Sequence, residues 1–388
     1  MKIIYILKSF AVKAGTERVI SDKMNYLAEH GYEVMMLTYE QGKHPHAFSL
    51  DSSIRHVDLQ TCFYKLEKYG WLKRLLEFTR MRRQFRDRLQ ELVDDFRPDI
   101  IISTTYSIRL MDIILSINSK ARHIVESHVA CYSIRKSYDY RHSIALRFLA
   151  SLYDEWALSR VAKADQMVVL TNGDADDWRK YTTNVVVIPN PVTLYPDIVL
   201  PHDGSGCRIL CVGRLHEQKG FDMLIDAFAL IAHQCQGWII DIYGEGSDKS
   251  MLLAKICQNR LDGRININPP TLSIYDEYQH SEFYVLSSRF EGLPLVLGEA
   301  MSCGIPCISF RCKYGPEDII EDGKTGLLVS NGNVTELADK MLWMIEHTKE
   351  RLQMGQNARH AAKSYRKSQI MLQWLELFSQ MVSDSVEE

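Results

Sequence analysis

The feature that most constrains the fold is the alternation of short apolar runs with longer amphipathic stretches along nearly the whole chain. Runs at 2–7, 33–39, 99–104, 122–127, 166–170 and 185–188 fill the first half, and runs at 208–213, 238–243, 264–268, 283–286, 306–310 and 326–329 the second. Near-continuous apolar strands separated by helix-length segments form parallel sheets covered by helices on both faces, which is the α/β class. Between the halves the stretch 195–206, YPDIVLPHDGSG, carries two prolines, two glycines and little periodicity, the composition of a linker. The pattern predicts two doubly wound, Rossmann-like domains, 1–190 and 207–363, joined by a linker at 191–206 and facing across a cleft. The closing stretch, 364–388, is expected to be helical, with Ile370, Leu372, Trp374, Leu375, Leu377, Phe378 and Met381 apolar. It is expected to pack back on the first domain or across both.

The 388 residues hold 46 Lys and Arg against 49 Asp and Glu, a formal charge of -3, which excludes a strongly basic nucleic-acid binder. No nucleic acid partner is expected. A 46% hydrophobic content excludes disorder. No apolar run approaches the ~18 residues of a membrane span. The chain moves from Met1-Lys2 directly into a strand with no apolar leader segment, so a cytoplasmic protein is expected. Nine scattered cysteines without a Cys-x-x-Cys pair fit reduced thiols. His202, Cys207, Cys211 and His216 lie close in sequence, yet their spacing is not that of a zinc site, and Cys207, Ile209 and Cys211 share one face of a strand. Asp174-Ala175-Asp176-Asp177 imitates a metal-binding Asp-x-Asp, but it opens a short helix, where carboxylates favour the positive dipole end. No metal is expected.

Chemistry-bearing residues gather after the strands of the second half. The run at 208–213 leads into Gly213-Arg214-Leu215-His216-Glu217-Gln218-Lys219-Gly220. Gly213 permits close backbone approach of a ligand, Arg214 offers a planar fork and Lys219 a point charge at a helix N-terminus, a set suited to a diphosphate. A solvated turn with two ordinary cations is the alternative. The next run ends in Tyr243-Gly244-Glu245-Gly246, with Lys249 where a dinucleotide fingerprint needs glycine, and the loop after the first strand also lacks that pattern. Both failures count against an oxidoreductase. After 283–286 comes Ser287-Ser288-Arg289-Phe290-Glu291-Gly292-Leu293-Pro294, then a helix expected to start near Leu293 and to carry Glu299 two turns on. Carboxylates so placed accept hydrogen bonds from the vicinal hydroxyls of ribose and sugars.

VGRLHEQKG at 212–220 together with RFEGLPLVLGEAM at 289–301 resembles the retaining family 4 glycosyltransferases of the GT-B fold, with their Glu-x7-Glu element. The resemblance extends to Ile188-Pro189-Asn190-Pro191, to EDGKTGLLV at 321–329 and to a reduced glycine loop, Gly15-Thr16-Glu17-Arg18, and so covers essentially the whole chain. It implies a nucleotide-sugar donor held mainly by the second domain, with no cofactor. Arg214 and Lys219 would contact the diphosphate, Glu299 the ribose, and Glu291 with the backbone of Gly292, Leu293 and Pro294 the transferred sugar. Gly15 would lie near the diphosphate and acceptor, and His128, at the end of Glu126-Ser127-His128, would point at the donor sugar. A strand-end histidine bonded structurally is the alternative for His128. Ala14-Gly15 replaces the usual Gly-Gly, and Pro269-Pro270 stands where a glycine is more usual, so the resemblance names no base reader. The segment Ser309-Phe310-Arg311-Cys312-Lys313-Tyr314-Gly315-Pro316 is similar to one in members that build surface polysaccharides or lipid-linked oligosaccharides. It implies a UDP-sugar, with GalNAc, GlcNAc and galactose open, and a glycan or lipid-linked saccharide acceptor. A sugar phosphorylase or sugar-phosphate synthase on the same scaffold is the nearest rival, and a non-catalytic sugar-binding protein a more distant one.

The near-neutral total hides a basic segment. Residues 65–97 hold ten Lys and Arg against six acids, a local +4, accompanied by Trp71, Leu72, Leu75, Leu76 and Phe78. Two readings fit: a basic amphipathic helix on anionic lipid at the cytoplasmic face of the inner membrane, or a surface helix whose apolar face docks on the first sheet.

Overall fold

The computed structural model describes residues 1–388 except 129, 137–143, 194, 200–201 and 388, and omits the side chains of 133, 135–136, 144–150 and 384–387. The chain divides into two compact units, Met1–Ile188 with Met371–Glu388, and Pro189–Ile370. Among the described residues each unit is built on one wholly parallel sheet.

In the first unit the strands are β1 (Lys2–Leu7), β2 (Glu33–Thr38), β3 (Arg55–Asp58), β4 (Ile100–Thr104), β5 (Arg122–Glu126), β6 (Gln166–Val169) and β7 (Val185–Val187), in spatial order β3-β2-β1-β4-β5-β6-β7. Ile4 of β1 sits beside Met35 on one side and Ile101 on the other. Both faces are covered: Ile4, Ile6, Met35 and Leu37 share one face with Val125 and Met167 through the ladder register, and Ile3, Tyr5, Met36 and Ile102 on the opposite face are equally buried. Each such side chain contributes about 1.5–3 kcal/mol on leaving water. β3 has no counterpart among the sequence runs. It is an edge strand of sequence RHVD, paired on one side only, and needs no apolar pattern.

The second unit holds β8 (Arg208–Val212), β9 (Ile239–Tyr243), β10 (Ile265–Asn268), β11 (Phe283–Leu286), β12 (Cys307–Phe310) and β13 (Gly326–Val329), ordered β10-β9-β8-β11-β12-β13. Along β8 the period of two is explicit: Ile209 and Cys211 join the core with Leu224 and Phe228, while Leu210 faces the core of Tyr284 and Met301. Cys211 is fully buried, and burial pushes its thiol far above its ordinary pKa. It is a core residue, as the reading of a strand face anticipates.

Strand order reverses between β1 and β4, and again between β8 and β11. Open parallel sheets bind ligands outside the carboxyl ends of the strands at such a reversal, so each unit carries one such position. Two helices of the first unit stand near its reversal. Helix α1 (Gly15–Glu29) buries Val19, Ile20, Met24 and Leu27 together with Lys23. Helix α2 (Trp71–Phe96) docks on the first sheet through Phe85, Leu89 and Val93, spaced i, i+4, i+8 on one face, while its first six residues are exposed. The docked-helix reading therefore describes the later turns of α2 and fails for its first six residues. The last helix, Lys367–Glu387, begins three residues later than 364, and from Met371 onward it groups with the first unit.

Candidate functional site

In the second unit the two loops that flank the β8/β11 reversal are stitched together. After β8 the backbone runs close beside the loop after β9. A Cβ on Gly244 would stand 1.9 Å from the Gly213 carbonyl, and one on Gly246 2.1 Å from that of Leu215. The two glycines of Tyr243-Gly244-Glu245-Gly246 thus serve this backbone crossing. Gly220 ends a short 3-10 turn, Glu217–Lys219, in the left-handed region at φ +63°, and its α-hydrogen faces the Ser287 carbonyl, where a Cβ would come within 2.0 Å. From the other side Ser287 donates its hydroxyl to the Lys219 carbonyl at 2.9 Å. Arg289 completes the clamp. It forks onto Asp222 at 2.7 and 2.8 Å and donates to the Glu217 carbonyl at 2.7 Å. Burial opposes the Asp222 charge, yet the Arg289 guanidinium holds that carboxyl below its usual range. Sequence reasoning gave Arg289 no role, because its partner lies 67 positions away.

This clamp brings Lys219 and Glu291 into contact. The Lys219 ammonium donates to Glu291 Oε1 at 2.6 Å, with both side chains largely buried. Lysine has three donors, so it can keep Glu291 and still take an anionic oxygen. Arg214 is exposed, reaching Gln218 Oε1 at 3.4 Å, and Gln218 in turn donates to the Phe290 carbonyl at 3.0 Å. Gly213 lies flush against the Lys219 stem, since a Cβ there would meet it at 3.2 Å. The backbone of Gly292, Leu293 and Pro294 is fixed from the segment after β12. Gly315, at φ +94°, packs so closely that a Cβ would lie 2.4 Å from the Gly292 carbonyl and 2.5 Å from Pro294 Cδ. Gly292 itself faces open space.

The next helix starts at Leu295, two residues later than expected, because Pro294 forms its N-cap. Glu299 lies in its second turn. Tyr278, fully buried, donates its hydroxyl to Glu299 Oε2 at 3.1 Å, and burial first, then the Glu299 charge, raises the Tyr278 pKa far above normal. Tyr278 is a second supporting residue that the sequence pattern left unread, 21 positions from its partner.

In the first unit Gly15 opens α1 behind Ala14, at the carboxyl end of β1, and is exposed. Thr16, beside it, approaches Tyr106 Oη at 3.4 Å across the β1/β4 reversal. β5 stops at Glu126, so His128 lies two residues past the strand, a correction of the strand-end expectation. Its side chain is buried, with Nε2 3.4 Å from Glu126 Oε1. Glu126 also pairs with Lys23, whose ammonium lies 4.1 Å from the centre of the Trp374 ring. Burial works against the Glu126 charge, but Lys23 and His128 hold its carboxyl ionised. Below His128, Asp174 accepts from Ser127 Oγ at 3.0 Å and from the Cys131 amide at 2.8 Å, pinning both flanks of the histidine loop. Asp174, the head of the Asp-x-Asp imitation, is thus occupied within the fold. The contact of Lys23 with Trp374 and Glu126 gave no sequence signal, being made only by tertiary packing.

Comparison with known proteins decides what this arrangement belongs to. The description "Glycosyltransferase Family 4" matches residues 14–194, and "Glycosyl transferases group 1" matches residues 199–361. The chain belongs to the family 4-type glycosyltransferases of the GT-B fold. An uncharacterized glycosyltransferase of Haemophilus influenzae is 28% identical over 96% of this chain and 98% of its own length. Among solved structures, the lipopolysaccharide outer core galactosyltransferase WaaB superposes with a TM-score of 0.73 at 20% identity, covering 98% of this chain and all of that one. Staphylococcus aureus TarM, crystallised with Fondaparinux, α-GlcNAc-glycerol and UDP, gives 0.72 at 16% identity over 97% and 99% of the two chains. These likenesses are of fold. Among the described residues no helix is long and apolar enough to cross a membrane.

Proposed function

We propose that this glycosyltransferase moves a hexose or N-acetylhexosamine from a UDP-sugar to a glycan or lipid-linked saccharide in surface polysaccharide synthesis, retaining the anomeric configuration and using no metal. The observation that carries the reading is the Lys219–Glu291 pair at the β8/β11 reversal, with Arg214 on the same loop as Lys219 and Glu299 on the helix that follows Glu291. UDP in a TarM complex and the lipopolysaccharide outer core for which WaaB is named support the donor and acceptor classes.

In this reading Arg214 and Lys219 grip the diphosphate, Glu299 accepts from the ribose hydroxyls, and Glu291 with the 292–294 backbone orients the transferred sugar. Gly213 leaves room for the diphosphate. The bond from the anomeric carbon to the diphosphate oxygen breaks with its electron pair going to the diphosphate. An acceptor hydroxyl attacks the same face, and its proton passes to the departing oxygen. The two cations neutralise charge as it develops, so positioning and electrostatics carry the rate. The protein works at the cytoplasmic face of the membrane, with contact through 65–97. Incubation with a panel of UDP-sugars, reading UDP release, tests the reaction. Turnover of one UDP-hexose or UDP-N-acetylhexosamine, undiminished by EDTA and giving by NMR a product with the donor's anomeric configuration, is expected. Absence of turnover with every donor overturns the reading, and cleavage of a glycan by inorganic phosphate to a sugar 1-phosphate, with no UDP-sugar consumed, would make the protein a phosphorylase.

A further inference from the structure

A cavity of about 580 Å³ opens in the first unit over the carboxyl ends of β1, β2 and β4, where Lys8, Tyr39 and Tyr106 emerge. Its walls are Tyr64, Trp71, Leu75, Phe78, Tyr106 and Tyr153, contributed by the turn Phe63–Lys68, by α2, by the loop after β4 and by the helix Ile144–Arg160. Two pairs of polar groups in its floor meet each other. Tyr39 Oη and Ser107 Oγ are 3.1 Å apart, and Lys8 pairs with Glu40 at 3.3 Å. Glu67, Arg74 and Arg109 with the tyrosine hydroxyls offer partners to a polar headgroup, whereas a hydrocarbon chain would displace water from rings and leucine without breaking the Tyr39–Ser107 or Lys8–Glu40 contact.

The cavity does not close at its rim. Trp71 is 76% exposed, Leu72 60%, Leu75 61% and Leu76 73%, so the apolar wall continues outward along the overhanging start of α2. Four such residues on one short segment are costly to leave in water and mark an interaction surface. The charges around them give the occupant its sign. Arg74 lines the cavity, and 65–76 carries Lys65, Lys68, Lys73 and Arg74 against Glu67 alone, a local +3. Lysine and arginine around exposed tryptophan and leucine is the composition of a surface that meets an anionic headgroup with hydrocarbon beneath it.

We propose that this cavity takes the hydrocarbon chain of a phosphorylated lipid, the carrier of the acceptor saccharide, with its phosphate at Arg74 and the neighbouring lysines. The assignment of the lipid as acceptor carrier rests on the glycosyltransferase reading above; the binding site itself does not.

Calorimetric titration with dodecyl phosphate below its micelle concentration tests it, with dodecyl maltoside, inorganic phosphate and maltose as parallel arms. Saturable binding of about one dodecyl phosphate per chain is expected, with dodecyl maltoside about ten-fold weaker and no binding of phosphate or maltose at the same concentrations. Leu75→Asp and Arg74→Glu, both at exposed positions, are expected to weaken dodecyl phosphate about ten-fold each, with unchanged circular dichroism. No saturable binding, binding undiminished by both substitutions, or competition by maltose would overturn the site. UDP-sugar hydrolysis by the same preparation separates the two claims. A protein that turns over donor but ignores dodecyl phosphate contradicts this inference alone, and one that binds dodecyl phosphate but turns over no donor contradicts the acceptor assignment.

Discussion

At the residue scale, the contact that matters most is the bond between the Lys219 ammonium and Glu291. Replacing Glu291 by Gln keeps the shape but removes the charge that orients both lysine and sugar. Donor turnover is expected to fall about 10²-fold, read as UDP release, and undiminished turnover would contradict the assignment. Asp174 yields a prediction of a different kind. Burial raises its carboxyl pKa from 3.8 to about 6, so the folded state holds the proton more tightly than the unfolded chain. The stability this provides is complete below about pH 4 and lost as pH rises through about 6. An asparagine at this position would not titrate, so Asp174→Asn gains on the wild type across that window by on the order of 3 kcal/mol, measurable by urea unfolding at pH 4 and pH 7. Lys219, Arg214, Glu291 and Glu299 were legible in the sequence because strand-end motifs carry them. Tyr278, Arg289, Lys23 and Glu126 were not. Lys23 and Glu126 stand 103 positions apart, and no local spacing records a contact of that range.

At the element scale, two features separate what a helix or turn does for stability from what it does for function. In α2, Leu89 is buried and Leu72 and Leu76 are exposed. Leu89→Ala is expected to cost about 2–5 kcal/mol in urea unfolding, whereas Leu72→Lys and Leu76→Lys should stay within about 0.5 kcal/mol. Equal costs at all three would mean that the start of α2 is packed. Gly220→Ala puts a methyl against the Ser287 carbonyl in a left-handed turn and is expected to cost at least about 2 kcal/mol and to loosen Lys219. Apolar periodicity located both sheets because their central strands are buried on both faces. It passed over β3 because an edge strand needs no such signal, and it could not tell where α2 stops docking, since Trp71 and Phe85 read alike as apolar residues of one helix.

At the scale of the whole molecule, two parallel-sheet units and their strand-order reversals were implied by the alternation of runs, and the reversals locate ligand positions at the carboxyl ends of β1/β4 and β8/β11. The identity of the transferred sugar was not legible. It depends on a few contacts that no sequence rule fixes, and the loop containing Pro269-Pro270 left the base reader unnamed as well. Every functional step proposed for the second unit depends on its gripping a uridine diphosphate through Lys219 and Arg214. Calorimetric titration of UDP into the wild type and into Lys219→Ala puts that grip to the test. Saturable binding to the wild type is expected, with binding about ten-fold weaker or worse in the variant. No binding to the wild type, or equal affinity in both, would contradict it.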